Sequence, residues 1–296
     1  MQIHKKVIIA LMAVAMLGIS LPAASAQSQS HPLQYNHSAG IVTLSTDDLT
    51  IKVVGVNDQP HFHWWSTTNP DIDYHMRFLS IFEVEDVNEN GIYDQGVDTV
   101  VGPKFTLPTT DWEFSGFETE IEDGNITAVH FNFTSVSDVY VQILVHIDMN
   151  NPSEIKFDLV IDGWTWTRDD SLLVFQFVIT ESNHGSSGSE DAPQYFHKTE
   201  TKFEFSNGYM EYEPTALAAQ NQLNVSASYG EGTGLHAGES VFLAFPYFGN
   251  ETLFYDPILG INSDSSTSLL DTPTLYLVGG VVGVVAIAAI VLKIRK

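Results

Sequence analysis

The chain has 296 residues, no cysteine, and 37 acidic against 12 basic residues, which gives a formal charge of −25. The lack of cysteine excludes disulfide bonds and cysteine-based catalysis, and it favours a prokaryotic, for example archaeal, surface protein over a secreted animal protein. The acidic surface opposes binding to the phosphates of nucleic acids, so no nucleic-acid partner is expected.

The first 26 residues have the pattern of a secretory signal peptide. Lys5 and Lys6 precede an apolar run from Val7 to Leu21, and the small residues 24–26 form a cleavage site. We therefore predict that the mature chain begins near Gln27 and lies outside the cytoplasm.

One early strand pattern carries two histidines. His61 and His63 would share one face of a β-strand, as two ligands of a transition metal would. A third ligand would be His75 or Asp73, if the strand that follows pairs with this one. The alternative is an aromatic cluster around the neighbouring tryptophans.

The segment 86–98 has the ligand pattern of a calcium-binding loop. Oxygen-bearing side chains stand at places one, three, five and nine, and Gly91 at place six permits a sharp turn. Ca²⁺ prefers several such oxygens, some of them charged. The predicted ligands are Asp86, Asn88, Asn90, the carbonyl of Ile92, Asp94 and Asp98.

This pattern resembles the first half of an EF-hand or dockerin-type loop, and the resemblance covers only these thirteen residues. It departs from the EF-hand at place twelve, where Val97 replaces the bidentate glutamate and Asp98 follows one place later. The flanks 78–85 and 99–101 predict strands, not helices. We therefore expect a loop at the tip of a β-hairpin, with a structural Ca²⁺ bound at a Kd of about 10⁻⁴ to 10⁻³ M. The alternative is an Asn-Gly turn with solvated acids.

The segment 27–256 predicts one β-rich extracellular domain. Apolar and polar residues alternate in 127–134 and 139–148, which is typical of antiparallel strands with one solvated face. Residues 172–180 form the most apolar strand pattern, so we expect that strand near the centre of a sheet. The predicted fold class is all-β: an antiparallel β-sandwich-like ectodomain followed by one C-terminal transmembrane helix.

Two tryptophan pairs suggest a different function. Trp164 and Trp166 would share a face of an extended segment, and Trp64 and Trp65 form a second pair. Aromatic strips of this kind can stack on sugars, although packing within a sheet is the alternative.

The C-terminal residues predict a membrane anchor. A tether, 257–273, precedes a predicted transmembrane helix, 274–293, with eighteen uncharged residues from 275 to 292. The basic tail 294–296 predicts a cytoplasmic C-terminus and an extracellular N-terminus. Gly279 and Gly283 have the spacing of a helix-packing motif, which leaves a dimer through this helix as an open alternative.

The predicted ectodomain keeps seven basic residues against all 37 acids, a formal charge of −30. It also contains five N-x-S/T sequons, so we expect a glycoprotein if its host glycosylates such sites. The sequons are Asn36, Asn125, Asn132, Asn224 and Asn250.

No catalytic motif is present: G-x-S-x-G, H-E-x-x-H and P-loop patterns are all missing, which favours a non-enzymatic role. We predict a single-pass cell-surface protein whose calcium-binding hairpin loop serves extracellular recognition or adhesion. Its partner would be an unidentified extracellular protein or glycan. The alternatives are a carbohydrate-binding or carbohydrate-active surface module and a structural component of the cell envelope.

Overall fold

A computed structural model describes residues 34–38, 41–54, 60–183, 190–231 and 238–262. These residues form twenty strands, all paired antiparallel, and one short 3-10 helix. The predicted signal peptide, transmembrane helix and cytoplasmic tail, with Gly279 and Gly283, lie outside the described residues. Within the described ranges no helix is long and apolar enough to cross a membrane.

The strands and the 3-10 helix follow one another along the chain. In chain order they are β1 (Gln34–Ser38), β2 (Ile41–Ser45), β3 (Leu49–Val54), β4 (His61–Ser66), β5 (Ile72–Glu85), β6 (Thr99–Thr106), η1 (Leu107–Thr109), β7 (Trp112–Glu122), β8 (Asn125–Ser135), β9 (Tyr140–Asp148), β10 (Glu154–Asp162), β11 (Leu172–Asn183), β12 (His197–Lys198), β13 (Lys202–Phe205), β14 (Gly208–Glu211), β15 (Thr215–Ala218), β16 (Asn221–Asn224), β17 (Ser226–Glu231), β18 (Glu239–Pro246), β19 (Leu253–Tyr255) and β20 (Ile258–Ile261).

The first sheet has nine strands in the order β1-β2-β3-β4-β5-β11-β18-β17, with β6 also paired to β5. The apolar strand β11 lies between β5 and β18, which confirms the predicted central position. In the second sheet β10 pairs with β9 along one side and with β19 and β20 along the other. The strand β20 occupies residues assigned by the sequence to the start of the tether, because its apolar side chains Leu259 and Ile261 are buried.

The main core lies between the two sheets. Phe62 of β4 meets Phe157 of β10 with ring centroids 5.6 Å apart, and Phe245 of β18 meets Tyr255 of β19 at 5.3 Å. Such contacts join opposite sheets, so the domain is a β-sandwich, as the alternating strand patterns predict. This confirms the all-β class and the antiparallel sheets.

A second, smaller apolar cluster lies on the outer face of the first sheet. Because side chains alternate along a strand, Ile81 points into the main core while Phe82 points away from it. Phe82 joins Val174 of β11 and Phe242 of β18 on this outer face, and Tyr93 covers them. The loop 86–98 and the histidines of β4 and β5 lie on this same outer face, near the two ends of β5.

Candidate metal-binding sites

The loop 86–98 joins β5 to β6, which pair antiparallel with Glu85 opposite Thr99. The flanking strands are therefore those that the sequence predicts. Inside the loop, Gly91 adopts a φ of +72°, in the left-handed region that glycine accepts without strain. Glu89 has a φ of +57°, so two residues close together reverse the chain direction.

Three carboxylates of the loop accept hydrogen bonds from its own backbone and side chains. Asp86 accepts from the N–H of Gly91 at 2.7 Å, and Asp98 accepts from the N–H groups of Val87 at 3.0 Å and Asp94 at 2.7 Å. The amide groups of Asn88 and Asn90 both donate to Oδ2 of Asp94, each at 2.8 Å. The side chains of Asp86, Asp94 and the two asparagines are thus drawn into one hydrogen-bonded turn. The binding of Ca²⁺ in this turn stays a prediction.

The loop is also fixed to the sheet beneath it. Ser226 and Ser228 of β17 donate their hydroxyls to the carbonyls of Gly91 at 2.5 Å and Tyr93 at 2.6 Å. The Tyr93 ring lies 4.8 Å from Phe242 and 5.4 Å from Phe82, measured between centroids. The expected hairpin tip therefore does not project freely. It folds onto the outer face because its one aromatic residue is buried there.

The histidines of β4 and β5 come together as the strand pairing requires. His63 lies opposite His75, and one ring nitrogen from each of His61, His63 and His75 lies within 4.8 Å of the other two. The ring centroids are 4.0 Å apart for His61 and His63, and 4.2 Å apart for His63 and His75. The predicted third histidine is therefore in place, and the cluster is separated from the main core by the sheet.

Two carboxylates border this histidine cluster, which comprises His61, His63 and His75. Oδ2 of Asp73 lies 3.6 Å from Nδ1 of His63 and 3.7 Å from Nε2 of His75. Oε1 of Glu190 lies 3.6 Å from Nδ1 of His75 and also pairs with Arg77. Sequence reasoning named Asp73 but missed Glu190, which follows β11 and is more than 100 residues away along the chain.

His61 and His75 resist protonation. Burial, helped by the neighbouring His63 and the positive charge of Arg77, lowers the pKa of His61 far below its usual range. Burial also lowers the pKa of His75 to about 4, despite the opposing effect of Asp73. Both imidazoles are therefore neutral at pH 7, and the neutral imidazole is the form that binds metal ions.

A second pair of histidines, on the second sheet, shows a different arrangement. Nδ1 of His130 and Nδ1 of His146 lie 2.9 Å apart. The remaining nitrogens lie 3.3 Å from Glu120 and 3.1 Å from Asp158, respectively. Each ring nitrogen of this pair thus has a hydrogen-bonding partner, so the pair is explained without a metal.

The four tryptophans named for sugar stacking do not form an exposed strip. Trp64 is fully buried in the main core and Trp164 is 7 % exposed. Trp65 points to the opposite face of its strand, because neighbouring side chains alternate. Trp166 is half-buried and donates its indole N–H to the carbonyl of Gly249 at 2.7 Å. Packing inside the sandwich thus accounts for Trp64 and Trp164.

Three of the four sequon asparagines whose side chains are described are exposed at the surface. Asn125, Asn224 and Asn250 are exposed. Asn132 is half-buried, and its carbonyl oxygen accepts a hydrogen bond from Ser115 at 2.7 Å. The three exposed positions are accessible to a glycosylating enzyme, and the glycoprotein prediction stays open.

No protein-family model matches the chain, and no curated protein matches it. Solved structures with some similarity include a heparinase III, with a TM-score of 0.39 and 11 % identity, covering 77 % of this chain and 34 % of that one. A heparan sulfate lyase, HepC from Pedobacter heparinus, has a TM-score of 0.36 and 11 % identity over 77 % of this chain and 34 % of its own. The YidC insertase has a TM-score of 0.31 and 11 % identity, over 79 % and 42 %. The chain spans less than half the length of each of these proteins.

Proposed function

We propose that this protein is a single-pass cell-surface β-sandwich protein in which Ca²⁺, bound by the loop 86–98, supports recognition or adhesion outside the cell. The observation that carries the proposal is the anchored loop: three carboxylates gather in a turn whose backbone is fixed to β17 by two serine hydroxyls. The predicted signal peptide and transmembrane helix supply the location.

The negative charge of the loop favours the binding of a cation. In the arrangement described here the amide hydrogens of Asn88 and Asn90 partly neutralise Asp94. Ca²⁺ would replace those hydrogens with a full positive charge, while each asparagine oxygen retains a lone pair for the ion. The role of Ca²⁺ would be structural, because it offsets the repulsion among Asp86, Asp94 and Asp98.

The exposed side chains of the loop support recognition. Val87 is 55 % exposed and Val97 is 54 % exposed, although both belong to a turn otherwise rich in polar residues. Apolar side chains presented on a rigid loop contribute to the apolar core of a protein interface. A loop fixed by Ca²⁺ would present these two valines with less loss of conformational entropy on binding.

Calcium titration of the purified full-length chain, kept in mild detergent, tests the metal. We expect saturable binding in calorimetry with a Kd of about 10⁻⁴ to 10⁻³ M. At a tenfold excess over Kd the ion should stabilise the fold by about 1.4 kcal/mol. That stabilisation corresponds to a rise in melting temperature of roughly 3 to 6 °C.

Two double variants separate the loop from general attraction of cations to an acidic surface. Asp86→Ala/Asp94→Ala should abolish binding. Glu118→Ala/Glu122→Ala removes the same charge from exposed positions of β7 and should leave binding intact. Absence of binding at millimolar Ca²⁺, or equal loss in both variants, would reduce the loop to a solvated turn.

Recognition has its own test. Cells that display the full chain should aggregate, or bind cells carrying the partner, in Ca²⁺ and not in a calcium chelator. Val87→Ser/Val97→Ser should reduce this adhesion while calcium binding persists. Adhesion that is unchanged by removal of Ca²⁺ and by Val87→Ser/Val97→Ser would contradict the proposed role, even if the loop binds the ion.

A further inference from the structure

We propose that His61, His63 and His75 bind a Zn²⁺ ion on the outer face of the first sheet, with Asp73 as the neighbouring carboxylate. This site is distinct from the calcium loop. It lies near the start of β5, whereas the loop follows the end of the same strand, about 35 Å away at ~3.3 Å per residue.

The first argument is geometric. Three imidazoles each offer a nitrogen within 4.8 Å of the others, and the nitrogens around a tetrahedral Zn²⁺ ion are about 3.4 Å apart. Zn²⁺ binds histidine nitrogen at roughly 2.0–2.1 Å in tetrahedral sites, so small rotations of the rings would bring three nitrogens to it. The antiparallel pairing of β4 with β5 holds the three residues on a rigid support.

The second argument is that two of the six imidazole nitrogens have no hydrogen-bond partner among the described residues, while Nε2 of His75 lies 2.9 Å from the hydroxyl of Ser182. Nε2 of His61 and Nδ1 of His75 are buried and make no hydrogen bond within the part of the chain that the structure describes. Buried polar atoms are nearly always satisfied by a hydrogen bond, a water molecule or an ion. The pair His130 and His146 shows the contrast, because its ring nitrogens are satisfied by each other and by carboxylates.

Two acidic and two basic side chains border the cluster. Asp73 and Glu190 contribute two negative charges, and Arg77 pairs with Glu190. Lys52 of β3 lies opposite His63 in the strand register and adds one positive charge nearby. Asp73 borders two of the three imidazoles, those of His63 and His75. It is placed to serve as a fourth ligand or to orient His63 and His75 by hydrogen bonding.

The ligand set selects the class of metal. Imidazole nitrogen suits Zn²⁺ and its neighbours in the first transition row, whereas Ca²⁺ prefers oxygen. Three imidazoles with one carboxylate fill a tetrahedral Zn²⁺ site, while three imidazoles alone leave one position for water. The two metal sites on this face should therefore take different ions.

The test uses the purified full-length chain in detergent, first stripped with a chelator and then equilibrated with excess Ca²⁺ so that the loop does not compete. Zn²⁺ titration by calorimetry should give one ion per chain, and Co²⁺ should produce the visible absorption bands of a tetrahedral nitrogen site. His63 and His75 both border Asp73, and His63 is the more accessible of the two. His63→Ala should weaken Zn²⁺ binding more than 100-fold. Asp73→Asn should weaken it roughly 10- to 100-fold, as expected for a supporting carboxylate.

The matched control is His130→Ala, which removes a histidine from the hydrogen-bonded pair on the second sheet and should leave Zn²⁺ affinity unchanged. Circular dichroism of each variant shows that it has folded. A wild-type chain that binds no Zn²⁺ would overturn the proposal. So would binding that persists in His63→Ala or is lost in His130→Ala.

Discussion

Replacing Tyr93 by alanine tests how the loop 86–98 depends on the sheet below it. The Tyr93 side chain is 8 % exposed and packs edge-on against Phe82 and Phe242. Truncating a buried aromatic side chain to alanine costs about 3–5 kcal/mol. The loop lies at the surface and can relax, so we expect about 3 kcal/mol.

Much of that loss should appear as detachment of the loop. Ca²⁺ binding must then supply the free energy that orders the detached loop. A cost of about 3 kcal/mol raises the Kd for Ca²⁺ roughly 100-fold. Calcium titration and thermal melting of Tyr93→Ala measure both quantities. Tyr93→Phe is the control, because it keeps the ring. Burial and the nearby Asp98 raise the pKa of Tyr93, so the phenol is neutral at pH 7 and this control removes no charge.

Unchanged calcium affinity in Tyr93→Ala would refute this reasoning. It would mean that the hydrogen bonds within the turn order the ligands without the sheet, and that the anchoring is incidental to ion binding. Equal losses of calcium affinity in Tyr93→Ala and Tyr93→Phe would instead assign the effect to the hydroxyl group, not to aromatic packing.

Two further substitutions test the fold that supports both sites, and urea unfolding measures each of them. The buried Glu83 carboxylate accepts hydrogen bonds from two backbone N–H groups and from the hydroxyl of Ser171. Glu83→Ala should therefore lower the free energy of unfolding by about 3 kcal/mol or more. Glu83→Gln should lower it less, because one oxygen acceptor remains. Equal costs for the two variants would contradict this account. Gly260 faces the ring of Tyr209 on the neighbouring strand, so Gly260→Ala should cost about 1–3 kcal/mol through overpacking. A second change, Tyr209→Ser, should relieve part of that cost, and strict additivity of the two would argue against the clash.

Local patterns along the chain were enough to predict many of the strands. The alternation in 127–134 and 139–148 corresponds to β8 and β9, whose apolar residues are buried. The apolar run at 172–180 corresponds to the central strand β11. Side chains along a strand point alternately to its two faces, so the buried face can be identified from neighbouring positions alone. The loop 86–98 was located for the same reason, since its ligand spacing and flanking strands are both local.

The tertiary structure decided which distant residues meet. Glu190 reaches His75 because β11 pairs with β5, and Ser226 reaches Gly91 because β17 lies at the edge of the same sheet. Strand order depends on how whole faces are buried, and no short window of sequence records it. The sequence by itself therefore determined many of the strands, the candidate loop and the paired histidines of β4. Only the pairing of β4 with β5 placed His75 beside those two histidines, and only the burial of Tyr93 against Phe82 and Phe242 laid the loop on the outer face.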